Sequence, residues 1–480
     1  MNLKRFYRIL ILFIAIVSSI SCKTTEDIAP QLSVSLSIVS FPAEGGTSNI
    51  TLTCSDQWSI DNSAYSWLQL NQATGSSGST TIKLTAASNS LGSSRSVILT
   101  ATSPNGQTRR ITVSQASNIY PSYNTSPIAP DQTRMNSTAV QLAANINLGW
   151  NIGNTMEAPG GEGGWGNPAI TESYIKFVKQ LGFNSIRIPC AWNLTHLSNK
   201  ATAQIDPNWL NRVKEVVGYC VNNNMYVLLN IHWDGGWLEN NCTIAKKDSV
   251  NAKQKALWEQ IATTMRDFDE HLMFASANEP NTSDTTQMRV LLSYHQTFIN
   301  AVRSTGGRNT FRKLVIQGSS DLISVSAFPT DPTPNCLMYE EHNYTPYQFT
   351  ALNGDADWGK MFYYWGAGHH STIEPDRNAT WGEEAVQNQY FQKIKTQFID
   401  KGIPVLMGEY GAYRRGASSH IPKDLDTHNA SVDYWITYVT KQAIIHGIKP
   451  FFWDTGGALD RRNNTVLDQR TIDAIIAGGK

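Results

Sequence analysis

The chain has 480 residues, more than one hydrophobic core usually organises, so two or more structural units are expected. Its 39 basic and 39 acidic side chains leave no net charge, and only 16% of the residues are charged. A neutral chain with few charges lacks the electrostatic surface that attracts nucleic acids or anionic membranes. Its 41% of hydrophobic residues exclude a wholly disordered protein.

The N-terminus has the features of an export signal. Three basic residues precede nine apolar residues at 9–17, and a short stretch rich in serine ends at Cys22. Such a segment is typical of a signal peptide, since a helix needs about 20 apolar residues to span a bilayer. The stretch resembles a bacterial lipobox, in which the cysteine is lipidated; ordinary cleavage near Ser21 is the alternative. We therefore expect a signal peptide at 1–22 and a surface lipoprotein of the bacterial outer membrane, or otherwise a secreted or periplasmic protein.

Residues 31–118 have the pattern of a small all-β domain. They carry few charges, and short runs with β-branched residues at alternate positions lie between Gly-, Ser- and Asn-rich turns. This spacing predicts an immunoglobulin-like β-sandwich. Trp58 and Trp67 could form a platform for sugar rings, but core positions are favoured in so small a domain. The expected strands are 48–54, 80–86, 95–102 and 109–113.

The same stretch resembles the BACON domain, a module of carbohydrate-active proteins. The residues that carry the resemblance are 41–46, Trp58, Trp67, Leu68 and 111–115. The resemblance implies carbohydrate binding, and a spacer that holds an enzyme off a membrane is the physical alternative. Residues 119–134 follow, and their three prolines among Ser, Asn and Tyr predict a semi-rigid linker.

Residues 135–480 alternate apolar runs with amphipathic segments. One helical pattern begins at Asp206 and Pro207, and another extends over 285–303. Eight strands with intervening helices in a domain of this size predict a (β/α)8 TIM barrel. The expected strands are 146–150, 185–188, 226–231, 272–275, 313–317, 337–341, 405–408 and 450–453.

Six of these eight runs end in polar or aromatic residues. In a TIM barrel the carboxyl ends of the strands share one rim, where active sites form. One polar residue at a strand end is usually structural, but six at the same rim indicate a functional site. These residues are Arg187, His232, Trp233, Asn278, Glu279, His342, Tyr344, Glu409 and Trp453.

Two of the rim residues are glutamates that follow strands four and seven, Glu279 and Glu409. These strands face each other across a closed ring of eight, and Pro280 is expected to end strand four and hold Glu279 at the rim. Two facing carboxyl groups ringed by Trp and Tyr meet the requirement of glycoside hydrolysis. One must be protonated to donate to the leaving oxygen, and the other must be ionised to attack the anomeric carbon. A structural ion pair is the alternative interpretation.

Neighbouring residues indicate the role of each carboxyl group. Arg187 and Tyr344 are potential donors to Glu409, which favours its ionised form and the role of nucleophile. Glu279 follows Asn278, whose neutral amide can bind a sugar 2-hydroxyl. Glu279 is therefore the candidate acid and base.

The second domain resembles glycoside hydrolase family 5, whose two carboxylates follow strands four and seven. Six short motifs carry the resemblance: SIRIP, NIHW, SANEP, HNY, MGEYG and FFWD. The resemblance implies a retaining mechanism with Glu279 as acid/base and Glu409 as nucleophile, and it implies neither a metal nor an organic cofactor. The substrate-binding residues that it implies are Arg187, His232, Asn278, His342, Tyr344 and Trp453.

Segments 149–155 and 164–168 are similar to the family branch that acts on β-1,4-glucans, including xyloglucan. Several tryptophans at the rim could stack on glucosyl rings, and such an open cleft favours endo action on a polysaccharide. We predict a monomeric endo-β-1,4-glucanase; a xyloglucan-specific enzyme, a β-mannanase and a surface glycan-binding protein are the alternatives. The candidate stacking residues are Trp233, Trp237, Trp358, Trp365 and Trp381, with Trp237 counted among the substrate-binding residues.

Three further patterns carry no separate function. Residues 161–166 satisfy G-x-G-x-x-G, but a proline at 168 follows where a dinucleotide site needs a helix. His369 and His370 have no carboxylate at ligand spacing in the sequence, so a metal site is not expected there. The five cysteines after Cys22 have no zinc-type spacing, and we expect buried thiols with at most one disulfide.

Overall fold

The computed structural model describes residues 31–89, 94–117, 119–416 and 420–480, which form two units. The first unit extends to residue 118, and the second comprises residues 119–480. The expected signal peptide and Cys22 lie outside the described residues. In the described part of the chain, no helix is long and apolar enough to cross a membrane.

Two β-sheets that share one core make up the first unit. Ile50 and Leu84 from one sheet and Leu99 and Ile111 from the other are buried together, so the predicted β-sandwich is confirmed. The four-stranded sheet has the order Leu32–Val34, Gly46–Cys54, Gly78–Ala86 and Leu68–Leu70. The five-stranded sheet has the order Ile38–Phe41, Thr108–Gln115, Arg95–Thr102, Trp58–Asp61 and Thr74–Gly75.

The two tryptophans of the sandwich serve its packing. Trp58 is buried in the core, and its indole N–H donates to the backbone carbonyl of Ser76 at 3.2 Å. Trp67 is half-buried, and the guanidinium of Arg95 lies over its ring at 4.6 Å from the centroid. The core interpretation is therefore confirmed for Trp58, and a cation covers one face of Trp67.

The second unit contains a closed barrel of eight strands whose pairings are all parallel. The predicted TIM barrel is confirmed, and the second and fourth strands match the prediction residue for residue. Barrel strands one to eight are Gly149–Asn151, Ser185–Ile188, Tyr226–Asn230, Leu272–Ala275, Leu314–Gln317, Leu337–Asn343, Val405–Tyr410 and Lys449–Phe452. In the described residues of this unit, three short strand pairs lie outside the barrel: Ile128–Pro130 with Gly306–Gly307, Leu197–Asn199 with Gln204–Ile205, and Leu459–Asp460 with Thr465–Val466.

Six of the nine described α-helices begin after a side chain that accepts from a free N–H group of the first turn. The Asp206 side chain accepts from the Asn208 N–H ahead of Pro207, and Asp284 caps the helix that follows strand four in the same way. The α-helices are Ala139–Ala144, Glu172–Gln180, Pro207–Asn222, Lys247–Met265, Thr285–Ser304, Tyr347–Thr350, Glu384–Gln397, Leu425–Ile445 and Gln469–Gly478. The 3₁₀ turns are Glu239–Asn241, Ile244–Lys246, Arg308–Thr310, Val325–Ala327, Pro375–Arg377 and Ile399–Lys401.

The amino end of the barrel is closed by the short helix Ala139–Ala144. Its Leu142 and the following Ile146 share one buried cluster with strand residues such as Met273 and Leu406. Packing there is so tight that a Cβ on Gly149 would lie 2.2 Å from the Phe451 ring. The amino end therefore has no room for a ligand. The opposite, carboxyl end is where TIM barrels generally hold their active sites.

The segment predicted as a linker, 119–134, packs on the barrel unit. The Glu259 carboxylate accepts hydrogen bonds from the backbone N–H groups of Tyr123 and Asn124 at 2.6 and 3.2 Å. Further along, the strand Ile128–Pro130 pairs with Gly306–Gly307. The contacts of this segment are made largely through its backbone, so the absence of an apolar period in its sequence did not indicate them.

The five described cysteines agree with the expectation of buried thiols. Cys54, Cys190, Cys220, Cys242 and Cys336 are all buried, and each is a free thiol. The described residues therefore contain none of the disulfides that the sequence allowed.

Candidate active site

Arg187, on barrel strand two, is the centre of the hydrogen-bond network at the carboxyl end of the barrel. Its buried guanidinium donates to Glu409 Oε1 at 2.8 Å, Asn278 Oδ1 at 2.6 Å and Asn151 Oδ1 at 3.1 Å, and Nε lies 2.9 Å from Glu340 Oε1. Burial lowers the pKa of Arg187, but the charges of Glu340 and Glu409 outweigh burial and raise it. One permanently charged fork therefore fixes side chains from strands one, six and seven and from the segment after strand four.

Glu409 lies on strand seven with a side chain that is only 7% exposed. Its Oε1 accepts from Arg187, and its Oε2 accepts from the Tyr344 hydroxyl at 2.9 Å. Burial, together with the charge of Glu409, raises the pKa of Tyr344, so the phenol stays protonated and remains a donor. Both predicted donors to Glu409 are in place, and two such hydrogen bonds stabilise an ionised carboxylate.

Glu279 is held at the rim by its backbone. Strand four ends at Ala275, and Glu279 itself has a left-handed φ of +46°, so the rim position does not depend on Pro280 ending the strand. Its N–H donates to Gln317 Oε1 at 2.6 Å, and its side chain is 55% exposed. A non-glycine residue in this backbone region is strained and persists only where neighbouring contacts hold it.

The two carboxylates approach each other closely. One oxygen of Glu279, one oxygen of Glu409 and a ring nitrogen of His342 all lie within 4.8 Å of one another. Retaining glycosidases place their two carboxyl groups about 5–5.5 Å apart, whereas inverting enzymes leave about 6.5–9.5 Å for a water molecule. The short separation is compatible with direct attack by one carboxylate and leaves little room for an intervening nucleophilic water.

His342 bridges the carboxylates as a cation. Nδ1 lies 2.7 Å from Glu279 Oε1 and 3.7 Å from Glu409 Oε2, and Nε2 lies 3.1 Å from Glu340 Oε1. Burial lowers the pKa of His342, but the charge of Glu409 and the hydrogen bonds to Glu279 and Glu340 raise it to about 10. Both ring nitrogens donate only in the protonated imidazole, and this form cannot bind a metal ion.

A pH dependence of stability follows from the raised pKa of His342. The unfolded side chain titrates near 6.5 and the folded one near 10, so its stabilising effect is complete below about pH 6.5 and is lost as the pH rises through 10. The free energy of unfolding should therefore be higher for wild type than for His342→Gln, and this difference should be larger at pH 6 than at pH 10. Denaturant unfolding at both pH values measures the difference, and a gap that is constant or grows with pH contradicts a charged His342.

Glu340 is a component of the site that sequence reasoning missed. Its side chain is fully buried inside the barrel on strand six, where a Cβ on Gly408 would lie 2.0 Å from Oε1. Burial raises the pKa of Glu340, but the charges of Arg187 and His342 outweigh burial and lower it. The double glutamate Glu340-Glu341 before His342 was a usable signal, because charged residues rarely lie inside a barrel strand without a partner.

Two aromatic side chains form one wall of the site. The rings of His232 and Trp453 are parallel within 7° at a centroid distance of 5.7 Å. Burial lowers the pKa of His232 to about 3, so this imidazole is neutral. Gly153 lies beneath the Trp453 ring, and a Cβ there would lie 2.9 Å from two of the ring carbons. The half-buried Trp453 thus presents a supported ring next to a neutral imidazole, a surface suited to a sugar face.

Arg461 is a second residue that the sequence did not reveal. It is buried and donates to the backbone carbonyls of Gly153 at 2.8 Å and Asp454 at 2.9 Å. These bonds join the loop after strand one to the loop after strand eight, on either side of Trp453. Arg461 therefore holds together the two loops that contact or carry Trp453.

The other tryptophan candidates separate into exposed and structural residues. Trp365 was wrongly predicted to be available for stacking: it is fully buried, and its indole N–H donates to the Gly382 carbonyl at 3.0 Å. Trp237 is half-buried against the main core, with the Lys253 ammonium 5.4 Å from its ring centroid, so the structure gives it a packing role. The large exposed rings on loops after strand ends are Trp165, Trp233, Tyr347, Trp358, Trp381 and Tyr413.

Two minor sequence patterns have structural roles of their own. Residues 161–166 form turns, and the next helix begins at Glu172, so they do not lead into a helix N-terminus as a dinucleotide site requires. His370 does have a carboxylate partner, because its Nε2 lies 2.6 Å from Glu383 Oε1. Glu383 lies thirteen residues away on the chain, which is not the spacing of a metal-ligating motif.

A TIM barrel with two close carboxylates at its carboxyl end has the architecture of a glycoside hydrolase. The chain belongs to glycosyl hydrolase family 5, because the family model for cellulases matches residues 150–458. A second model, described as a putative N-terminal binding domain, BACON, matches residues 57–116. The enzyme is of the endo-β-1,4-glucanase type. Both resemblances inferred from the sequence are thereby confirmed.

Curated and solved relatives agree with this assignment. A xyloglucan-specific endo-β-1,4-glucanase of Bacteroides ovatus is 31% identical over 98% of this chain and 96% of its own length. The structure of a Bacteroides ovatus family 5 xyloglucanase with a heptasaccharide has a TM-score of 0.69 at 29% identity, covering 94% of this chain and all of the other. A xyloglucan-specific β-1,4-glucanase from a ruminal metagenomic library has a TM-score of 0.64 at 37% identity, covering 71% and 96%.

Proposed function

We propose that this enzyme cleaves β-1,4-glucans internally by a retaining mechanism, with Glu409 as nucleophile and Glu279 as acid and base. The observation that carries the proposal is the approach of the two carboxylates, which have oxygens within 4.8 Å of each other at the open end of the barrel. Glu409 is buried and oriented by two donors, whereas Glu279 is exposed toward solvent. These opposite surroundings divide the two roles.

The first step forms a bond between the anomeric carbon and a carboxylate oxygen of Glu409. The bond from that carbon to the leaving oxygen breaks, and the Glu279 proton passes to this oxygen. Arg187 and Tyr344 hold the Glu409 carboxylate so that its attacking oxygen needs little reorientation. Deprotonated Glu279 then takes a proton from water, whose oxygen attacks the same carbon and releases Glu409.

The acid role requires Glu279 to change its surroundings when substrate binds. In the free site the hydrogen bond from His342 lowers the pKa of Glu279, which favours the ionised form. A sugar over Glu279 removes solvent from its carboxyl group and offers the leaving oxygen in place of His342, and both changes favour the protonated form. Once Glu409 is an ester, its negative charge is lost, and His342 is free to stabilise ionised Glu279.

The substrate class is tested by a panel of soluble carboxymethylcellulose, lichenan, xyloglucan and mannan. We expect reducing ends from the β-1,4-glucans, with the viscosity of the solution falling early because internal cleavage shortens chains quickly. Xyloglucan is a strong candidate, since two of the relatives named above are specific for it. Release from mannan alone would favour the β-mannanase alternative, and binding without any release would favour the glycan-binding alternative.

We propose further that the chain is an exported, lipid-anchored monomer, with carbohydrate binding by the N-terminal domain or a spacer role for it. The basic and apolar N-terminal segment that ends at Cys22 supports export and lipidation. Palmitate labelling of the cells should mark wild type but not Cys22→Ser, and the variant should leave the membrane fraction. Equal labelling of both proteins contradicts lipidation at Cys22, and light scattering of the purified protein tests the oligomeric state.

A further inference from the structure

Three large aromatic side chains near the loops after strands six and seven are exposed to solvent and take no part in the core. Tyr347, Trp358 and Tyr413 are 49%, 63% and 55% exposed, and we call them the aromatic ledge. The rings of Tyr347 and Trp358 lie 6.2 Å apart at an angle of 42°. Exposing rings of this size to water is unfavourable, so a neighbouring pair of them marks a surface that a ligand can cover.

The ledge is continuous with the active site. Tyr347 lies three residues beyond Tyr344, whose hydroxyl holds Glu409. The Thr350 hydroxyl, at the end of the same short helix, donates to the Tyr344 carbonyl at 2.6 Å, and the Thr350 carbonyl accepts from the Tyr413 N–H at 2.8 Å. The backbone that orients the tyrosine on Glu409 is therefore the backbone that carries the ledge.

Hydrogen bonds hold the backbone of the segment that carries Trp358. Trp358 lies at the tip of a hairpin closed by two backbone hydrogen bonds of 3.0 Å between Ala356 and Gly359. Buried Arg415 donates to the carbonyl of Leu352 at 2.7 Å, and Arg377 grips both oxygens of Asp355 at 2.6 and 3.0 Å. A ring held in place loses little entropy when a ligand stacks on it.

Charge and shape indicate the occupant. Asp355 and Lys360 beside the ledge are paired with Arg377 and Asp376, and the exposed Asp357 next to Trp358 disfavours an acidic ligand. Flat rings with polar edges suit the apolar face of a pyranose. Because the backbone of the ledge is bonded to that of Tyr344, a polymer that crosses the active site can extend onto it.

We propose that the aromatic ledge is a remote binding site for the glucan chain, occupied by glucosyl rings beyond those at the cleaved bond. This inference rests on the proposed function, since it takes the substrate to be a β-1,4-glucan. Trp358 is its principal ring and Tyr347 supports it. The ledge contributes to the binding of long chains and not to bond cleavage itself.

The test compares Trp358→Ala and Tyr347→Ala with Ile373→Ala, a control that removes a 63% exposed apolar side chain from the same segment. We expect Trp358→Ala to raise KM on soluble polymeric glucan roughly five- to tenfold with kcat unchanged, and Tyr347→Ala to act in the same direction. On a short aryl cellobioside all three variants should match wild type. Trp358→Phe should restore most of the lost affinity for polymer.

A binding measurement separates failure of the ledge from failure of the proposed function. In a Glu409→Ala background, electrophoresis through gels that contain soluble glucan reports affinity without turnover. Weaker retardation of the Trp358 variant than of the Ile373 variant supports the ledge even if hydrolysis were absent. Equal retardation, or an equal loss on the aryl cellobioside and the polymer, overturns it and leaves the face to another occupant such as a partner protein.

Discussion

The Glu409→Ala enzyme is expected to hydrolyse every β-1,4-glucan roughly 10⁵-fold more slowly than wild type, while it keeps its fold and its affinity for glucan. The variant has no group that can form the covalent intermediate, and Ala leaves a gap beside Arg187 and Tyr344 where the carboxylate was. Stability should change little, because Arg187 keeps its buried partner Glu340. Initial rates on soluble glucan and the unfolding temperature measure the two effects.

A small anion provides the control for the loss of the nucleophile. Azide can enter the gap left by the missing carboxylate and attack the anomeric carbon from the side of Glu409. A glucan fragment with a good leaving group should then yield an α-glycosyl azide, which product analysis identifies. A Glu279→Ala variant cannot give this product by the same route, since its nucleophile is intact. Near-normal turnover by Glu409→Ala, or a β-azide from it, contradicts the assignment of the nucleophile.

Arg187→Met is expected to lower the free energy of unfolding by about 3–5 kcal/mol. The substitution keeps an apolar stem but leaves two carboxylates, Glu340 and Glu409, at 0% and 7% exposure without their shared cation. Buried charges without a partner are far more unfavourable than the intact network. Denaturant unfolding at neutral pH measures the change, and activity should fall with it because the nucleophile loses one of its two donors.

A double-mutant cycle with Glu340→Gln isolates the electrostatic part. Without Arg187, the buried charge of Glu340 should destabilise the fold. The double variant Arg187→Met/Glu340→Gln should therefore lose less free energy of unfolding than the two single variants lose together, by about 1 kcal/mol or more. Arg470→Met is the matched surface control, since its ion pair with Asp433 involves a side chain that is 52% exposed. That control should cost at most about 1 kcal/mol. Equal losses at the two arginines would rule out a special role for burial at Arg187.

Sequence reasoning recovered the barrel because its signals are local. A strand such as Ser185–Ile188 is buried on both sides, so its sequence is a short apolar run. The arginine within that run indicates a buried charge that needs an acidic partner. The order of the runs placed Glu279 and Glu409 opposite each other without any coordinates. The donors to Glu409 followed from the same reasoning, since they lie at the ends of other strands.

The double glutamate marks the position of Glu340, but its contacts and the state of Glu279 could not be recovered in this way, because both depend on residues across the barrel. Glu340 lies inside strand six, and its carboxylate fits there only because Gly408 on the neighbouring strand has no side chain. The hydrogen bond from His342 that lowers the pKa of Glu279 joins residues 63 positions apart. Neither contact has a local pattern.

Trp358 and Trp365 show the same limit on a smaller scale. Both precede a glycine in one segment, and both were equal candidates for stacking on sugars. Trp365 is buried because distant Tyr434 and nearby Phe349 pack around it at centroid distances of 5.6 and 6.5 Å. Trp358 stands at a hairpin tip and stays exposed. Tertiary packing, which a list of tryptophans does not contain, decides between the two outcomes.

The buried free thiols can report the unfolding of each unit separately, because a thiol reacts with a labelling reagent only after its unit has opened. Only the thiolate reacts readily with maleimides, and burial raises the pKa of Cys242 to about 12. Cys54 lies in the sandwich and the other four described cysteines lie in the barrel unit. In a Cys22→Ser background, the mass added per molecule during a denaturant pulse therefore distinguishes a chain with an opened sandwich, which gains one label, from a chain with an opened barrel, which gains four.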